Sequence, residues 1–523
     1  MRPTPDRASS RPPFLVAGSR LGSAMRTGSL ALALLAGLAA AWLAGCATRS
    51  PARQEYVEVR TENFVVTSSL EPDETLEFVR NLEFFHAGLR ALLGQEHEIV
   101  RLAPTPVYVF DDRSFGRPFA VRTQTAYLVD AVEAPVLVFR GGRDFAARAT
   151  PELRQRYAQR MLRDRAPVER PLWYEEGVSQ LARTMDETPK GSRVGGIVPE
   201  FKLAVLTWKN AELLASLNRA DLSEETRPER ERYSARCWAI AHTLEFAGSP
   251  ASATQTRLDA YRRALDSSGP DQLDRALEAT GLDPEALQKE IYKHLEARRP
   301  KVRLVELRGF DFDRLKAVPL SSAESKARLG ELALLIDKVD LAEEHFELAL
   351  KADPKNPRAR IGRAVVAARS GDADVVEATF RSLELLADAP AEYHAAAGDA
   401  HLALARATDS VRARRDALAL ARESFEQGAR GPTPSARAQL GMARTYVEVE
   451  GENAGEAIAW IDAARKTRPG SLELELWQAR AEIGMGESRL ARVRLRNVVS
   501  RTHDLDQEDA ARALIESVGG AGR

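Results

Sequence analysis

The sequence predicts a predominantly helical chain in two parts. The first is α+β, a small mixed sheet with packed helices; the second is an all-α solenoid of helix pairs. Three observations predict this. Short apolar runs bounded by Pro and Gly recur before residue 140 and read as strands. Beyond residue 150 apolar residues return every three or four positions, as helices require. From about residue 321 Gly, Ala, Phe and Pro return at fixed offsets, the mark of an internal repeat.

At 523 residues the chain is long enough for two or three domains. Its 75 basic and 76 acidic residues leave a net charge of −1, which gives no reason to expect a nucleic-acid partner. Residues 1–45 read as a targeting segment outside the fold. An apolar run over residues 30–43 follows Arg26 and ends in Leu43-Ala44-Gly45-Cys46. The run is short of the roughly 20 residues that span a bilayer. The four-residue box resembles the signal of bacterial lipoproteins, which are cut before the Cys and acylated on its thiol. That resemblance implies a lipid anchor on Cys46 holding the protein at a membrane. With Ala47 next in line, it also implies the periplasmic side of the outer membrane. Met25 can serve as the start as well as Met1. There are two cysteines. With Cys46 acylated, Cys237 has no partner for a disulfide and reads as a small buried residue.

Residues 46–55 read as a tether, and residues 56–300 as the first domain. Residues 56–68 form a strand pair or one bent strand. A helix follows from Asp73, with Leu76, Val79, Leu82, Phe85, Leu89 and Leu92 on its apolar stripe. Residues 107–110, 126–129 and 136–139 are short strands. Asp111 and Asp112 read as turn residues, ahead of Phe115 in a loop. Thr150 can cap a helix that has Pro151 at its first position and Leu153, Tyr157 and Met161 inside. Pro171 precedes a second helix that opens Leu172-Trp173-Tyr174-Glu175-Glu176-Gly177. Residues 191–196 read as a loop. Helices follow over 201–217, 233–246, 254–265, 270–280 and 284–298.

This order, with Trp173-Tyr174-Glu175-Glu176-Gly177 at the second helix, resembles the peptidase MA-like zinc metallopeptidases of the gluzincin group. Those proteins carry HExxH on one helix and W-x-x-E-G on the next. The resemblance implies a zincin-like domain over about residues 56–298, with Glu176 where the family has its third zinc ligand. Trp173, Glu176 and Gly177 match that motif. The HExxH slot, however, reads Gln155-Arg156-Tyr157-Ala158-Gln159. Two imidazoles one turn apart grip zinc, and the Glu between them takes a proton from its water. A Gln amide is a poor ligand, and Arg cannot act as a base. The expectation is therefore a degenerate domain with no catalytic residue, no metal and no cofactor. The alternative is a zinc-dependent peptidase using non-standard ligands around Glu176, His242 among them. Of the eight His, none forms HxxxH or HxH. His97-Glu98 begins like HExxH, but Arg101 stands at the second His position. Nucleophile-elbow, P-loop and dinucleotide-binding motifs are missing too.

Residues 301–320 read as a linker, with Val302, Leu304, Val305 and Leu307 extended. Residues 321–519 resemble tetratricopeptide (TPR) repeats. The clearest copy has Leu329, Gly330, Ala342, Phe346, Ala349 and Pro354. A second uses Phe380. A third uses Gly398, Ala421 and Phe425, with an insertion at 407–416. A fourth uses Leu440, Gly441, Ala457, Ile461, Ala464 and Pro469. A fifth uses Trp477, Ala491 and Leu495 before a capping helix near 507–518. Such arrays usually bind a protein or peptide on the concave face, unless they pack on their own domain. The expected whole is a membrane-tethered cell-envelope lipoprotein that acts as a non-catalytic protein-binding scaffold, its old cleft kept as a groove.

Overall fold

A computed structural model of the chain describes residues 50–95, 103–111, 118–120, 126–141, 145–164, 170–207, 215–247, 255–267, 272–297, 301–307, 310–383, 390–430, 433–448 and 454–520. Cys46, His97, Asp112 and Phe115 lie outside the described residues, as do the targeting segment and residues 46–49 of the tether.

The described chain opens with a hairpin, β1 (Val57–Arg60) and β2 (Phe64–Ser68), in antiparallel register with Val59 opposite Val66. Helix α1 (Pro72–Leu92) follows, with Pro72 in its first turn and Asp73 and Glu74 near its positive end. β3 (Thr105–Phe110) then lies parallel to β2. β4 (Ala126–Val129) pairs antiparallel with β5 (Val136–Arg140), itself parallel to β3. The sheet order is β4-β5-β3-β2-β1 and then β9 (Val318–Pro319), which comes from far along the chain.

Both faces of this sheet are covered. Val59, Val66, Val107, Val109 and Phe139 meet Phe78, Val79, Leu82 and Phe85 of α1. Tyr108, Phe110, Tyr127 and Val138 point the other way, into the second half of the chain. That explains why β3 and β5 read as nearly unbroken apolar runs.

Short α2 (Phe145–Arg148) leads to α3 (Pro151–Asp164) and α4 (Leu172–Ala182). The predicted loop at 191–196 is instead largely strand. β6 (Asp186–Thr188) and β7 (Gly191–Val194) form a hairpin, and β8 (Arg303–Glu306) pairs with β7. These strands are polar and short, and one partner lies more than a hundred positions away, so they carry no period-two signal. Gly191 has φ +154°, and a Cβ there would strike the Val305 carbonyl. The helices between are α5 (Pro199–Thr207), α6 (Arg227–Phe246), α7 (Arg257–Asp266), α8 (Gln272–Glu278) and α9 (Pro284–Glu296). α6 starts six residues before the expected 233 because Thr226 and Glu229 make a capping box. Residues 301–320 contribute β8 and also β9 (Val318–Pro319), which pairs with β1.

The second half is a TPR-like run of helix pairs: α10 (Ser322–Leu335) with α11 (Val339–Ala352), α12 (Pro357–Arg369) with α13 (Ala373–Leu383), α14 (Ala391–Ala407) with α15 (Val411–Arg430), α16 (Ala436–Val447) with α17 (Ala454–Thr467), and α18 (Leu472–Gly484) with α19 (Ser488–Arg501). α20 (Leu505–Gly520) caps it. Much of the 407–416 insertion is taken up in the long α15. Phe346 is buried against Gly330 and Gly362, and Phe425 against Gly398 and Gly441; a Cβ on any of these glycines would overlap the ring. Three of the pairs turn in the same way. Asp337, Gly371 and Gly486 have positive φ, and the next residue donates back to Ala333, Ala367 and Glu482 respectively, at 2.8–3.0 Å. Asp337 and Gly371 stand one 34-residue repeat apart.

Candidate functional site

Helices α3 and α4 pack together and turn three side chains to one point. Gln155 and Gln159 are one turn apart on α3 and share a face. Gln155 Nε2 donates to Glu176 Oε1 at 3.3 Å, and Gln159 Nε2 donates to Glu176 Oε2 at 3.2 Å. Gln180, one turn along α4, donates to Oε1 at 2.7 Å, and Ser234 Oγ of α6 donates to the same oxygen. The positions singled out in the sequence are therefore brought together, around a carboxylate only 6% exposed.

The fifth donor comes from the far end of the chain. His503 lies between α19 and α20 and sets Nε2 3.1 Å from Glu176 Oε2 and 3.3 Å from Gln155 Nε2. Beside it Arg156 forms an ion pair with Asp504. Burial alone would raise the Glu176 carboxyl. The His503 imidazole, with hydrogen bonds from His503, Ser234 and Gln180, outweighs burial and holds it at about 2. Glu175 faces elsewhere and is gripped by Arg163 and Arg501.

The rest of the motif is packing. Trp173 is fully buried; its Nε1 donates to Tyr261 Oη at 3.2 Å, and the two rings meet edge to face. Gly177 lets α4 approach the Cys237 backbone of α6, where a Cβ would collide with the carbonyl. Cys237 is buried, and burial followed by the Glu176 charge pushes its thiol well up. His242 is engaged elsewhere: Nδ1 lies 2.8 Å from His294 Nε2, and Nε2 lies 3.2 Å from the Gly195 carbonyl. Burial and then His294 push it down to about 3, so it is neutral. Asp111 accepts from Gln54 Nε2 at 3.0 Å, and its backbone N–H donates to Ser69 Oγ.

Zinc takes donors with free lone pairs. Here both oxygens of the one carboxylate are occupied, and the two flanking amides present N–H groups to it. Arg183 Nη1 lies 3.4 Å from Gln155 Oε1. This donor set does not fit a zinc ion. Among the described residues no group of three His, Cys, Asp or Glu is placed to hold a metal.

Sequence reasoning missed His503, Asp504, Ser234 and Gln180. Gln180 had a signal, being four residues from Glu176. His503 had none, since 327 residues separate it from its partner.

No family model and no curated protein matches this chain. Among solved structures, a thermophilic TPR protein of Thermus thermophilus aligns at 20% identity with a TM-score of 0.34, over 37% of this chain and 99% of that one.

Proposed function

We propose that this protein is a non-catalytic scaffold of the bacterial cell envelope, held to a membrane through lipidated Cys46. Its peptidase MA-like domain has exchanged a metal centre for a hydrogen-bonded cage, and its TPR-like array presents surfaces to a protein partner. The observation that carries this reading is the convergence of Gln155 and Gln159 on Glu176. On this reading Gln155 and Gln159 stand where the resemblance puts metal-binding imidazoles, and they meet Glu176 as hydrogen-bond donors.

The groove expected in the old cleft is filled by residues 501–504 of the same chain. Helices α10 and α16, each the first of its pair, also face the N-terminal domain. Tyr108 Oη donates to the Arg328 carbonyl at 3.3 Å, and Glu133 accepts from Ser435 Oγ and the Arg437 amide at 2.9 and 3.0 Å. Surfaces left to a partner include the second helices, where Val411 and Leu420 on α15 and Leu490 and Val493 on α19 are exposed.

The test exposes the purified protein to zinc, desalts it, counts retained metal by mass spectrometry and assays casein cleavage with and without chelator. The scaffold reading expects no stoichiometric zinc and no chelator-sensitive cleavage. About one zinc per chain together with such cleavage would sink it.

A further inference from the structure

The two ends of the repeat array are fastened to the N-terminal domain by different physics. At the first repeat the seam is apolar: Tyr108, Phe110, Phe119 and Tyr127 share one buried cluster with Leu329, Leu332 and Phe346. At the last repeat the apolar contact is thin: among the described residues Val132 is the one N-terminal member of the buried cluster that holds Leu474 and Ala481 of α18 with α16 and α17. The cluster of α18–α20 is built from array residues alone, among them Leu472, Leu495, Val499 and Ala511, and the main N-terminal core holds none of them.

The contacts that fasten residues 499–512 are polar. Arg501 pairs with Glu175 and donates to the Arg170 carbonyl at 3.0 Å. His503 meets Glu176, and Asp504 meets Arg156. Arg230 of α6 pairs with Glu508 at 3.0 Å and donates to the Val499 carbonyl at 2.7 Å. The Leu222 amide donates to Ser500 Oγ at 2.7 Å, and Arg512 Nη1 to the Ser223 carbonyl at 3.0 Å. A small void between the halves is lined by Asp130, Arg156, His503 and Asp504, with Leu128 and Leu472 among its walls.

We propose that the array is a clasp, hinged at α10–α11 and latched at residues 501–504, whose release opens the old cleft and the first-helix side of the array together. Three physical points carry it. Apolar seams between domains hold, whereas polar ones permit relative motion. A solenoid bends cheaply, because each repeat touches only its neighbours. And residues 502–504 are non-helical between two helices, an extended plug that can leave without unfolding either one. The proposal stands on the seam itself, so it survives even if the domain has no peptidase ancestry.

The test measures distances by electron paramagnetic resonance between nitroxides in the full chain carrying Cys46→Ser. One pair, Lys190→Cys with Ser517→Cys, spans the latch; a second, Lys190→Cys with Lys351→Cys, spans the hinge. All three attachment positions are exposed. The parent gives one narrow distance for each pair. His503→Ala with Asp504→Asn lengthens and broadens the 190–517 distance and leaves 190–351 unchanged. Asp504→Arg opens the clasp, and adding Arg156→Asp restores the narrow distance. A 190–517 distance that stays narrow in the latch variant overturns the proposal. So does equal broadening of both pairs, which would mean general loosening, and so does failure of the charge swap to restore closure.

Discussion

Replacing Glu176 by Ala removes the acceptor on which five donors converge. Gln155, Gln159 and Gln180 are each at most 4% exposed, so water cannot freely take over their N–H groups. An orphaned buried polar group costs about 1–3 kcal/mol. Three orphans would exceed the usual cost of breaking a buried charged pair, about 3–5 kcal/mol, and local relaxation makes that range the better guide. In a cooperative unit of 150–250 residues each kcal/mol moves the midpoint by about 2–4 °C, so the transition that melts α3 and α4 should fall by about 6–20 °C. Scanning calorimetry reads this directly. The control is Glu152→Ala, which breaks a pair with Arg183 whose Glu side chain is 64% exposed; such pairs contribute about 0–1 kcal/mol. If Glu176→Ala falls no further than Glu152→Ala, the carboxylate is not the centre of a buried cage and the reasoning fails.

Other outcomes follow from the same structure. Gln155→His with Arg156→Glu and Gln159→His rebuilds an HExxH facing Glu176; added zinc should then raise the midpoint by mass action, about 2.7 kcal/mol at a hundredfold excess over Kd, while the parent shows no such rise. Phe346→Ala and Phe425→Ala, each emptying a site between two glycines, should each cost about 3–5 kcal/mol in denaturant titrations, whereas Arg381→Ala on the exposed face of α13 should cost under about 1. His242 is held near 3, below the ordinary histidine value, so only the unfolded chain takes up its proton between about pH 6.5 and 3. Stability from this group is intact above pH 6.5 and lost as pH falls through that window, by at most about 1.4 kcal/mol per unit; His242→Asn should flatten that slope in pH-dependent melts. The Cys237 thiol, buried and pushed up, should resist iodoacetamide in the native protein and react fully in denaturant.

Strands β1–β5, α1, the α3–α4 pair and the repeat pairs were legible because each carries its own local signal. β3 and β5 are apolar runs between turns. α1 and α3 have stripes at helical spacing. The repeats carry Gly, Ala and Phe at fixed offsets, because Phe346 and Phe425 need a glycine on either side. The β6–β7 hairpin was not legible, since polar residues in three- and four-residue strands are held by β8 rather than by any pattern of their own.

By itself, then, the sequence determined the residue types at the site and the chemistry they forbid. Two Gln and an Arg cannot supply the two imidazoles and the carboxylate base of an HExxH zinc centre wherever they sit, because ligand strength and basicity belong to the side chain. Trp173, Glu176 and Gly177 stood out for the same reason: a motif is local. Only the tertiary structure decided what those residues do instead. It made Glu176 the acceptor of a cage, placed His503 and Asp504 against α3, and set the first helices of the array over the second face of the sheet. These pairings span hundreds of residues, and the closing of so long a loop depends on the packing of every element between, which no window of sequence contains.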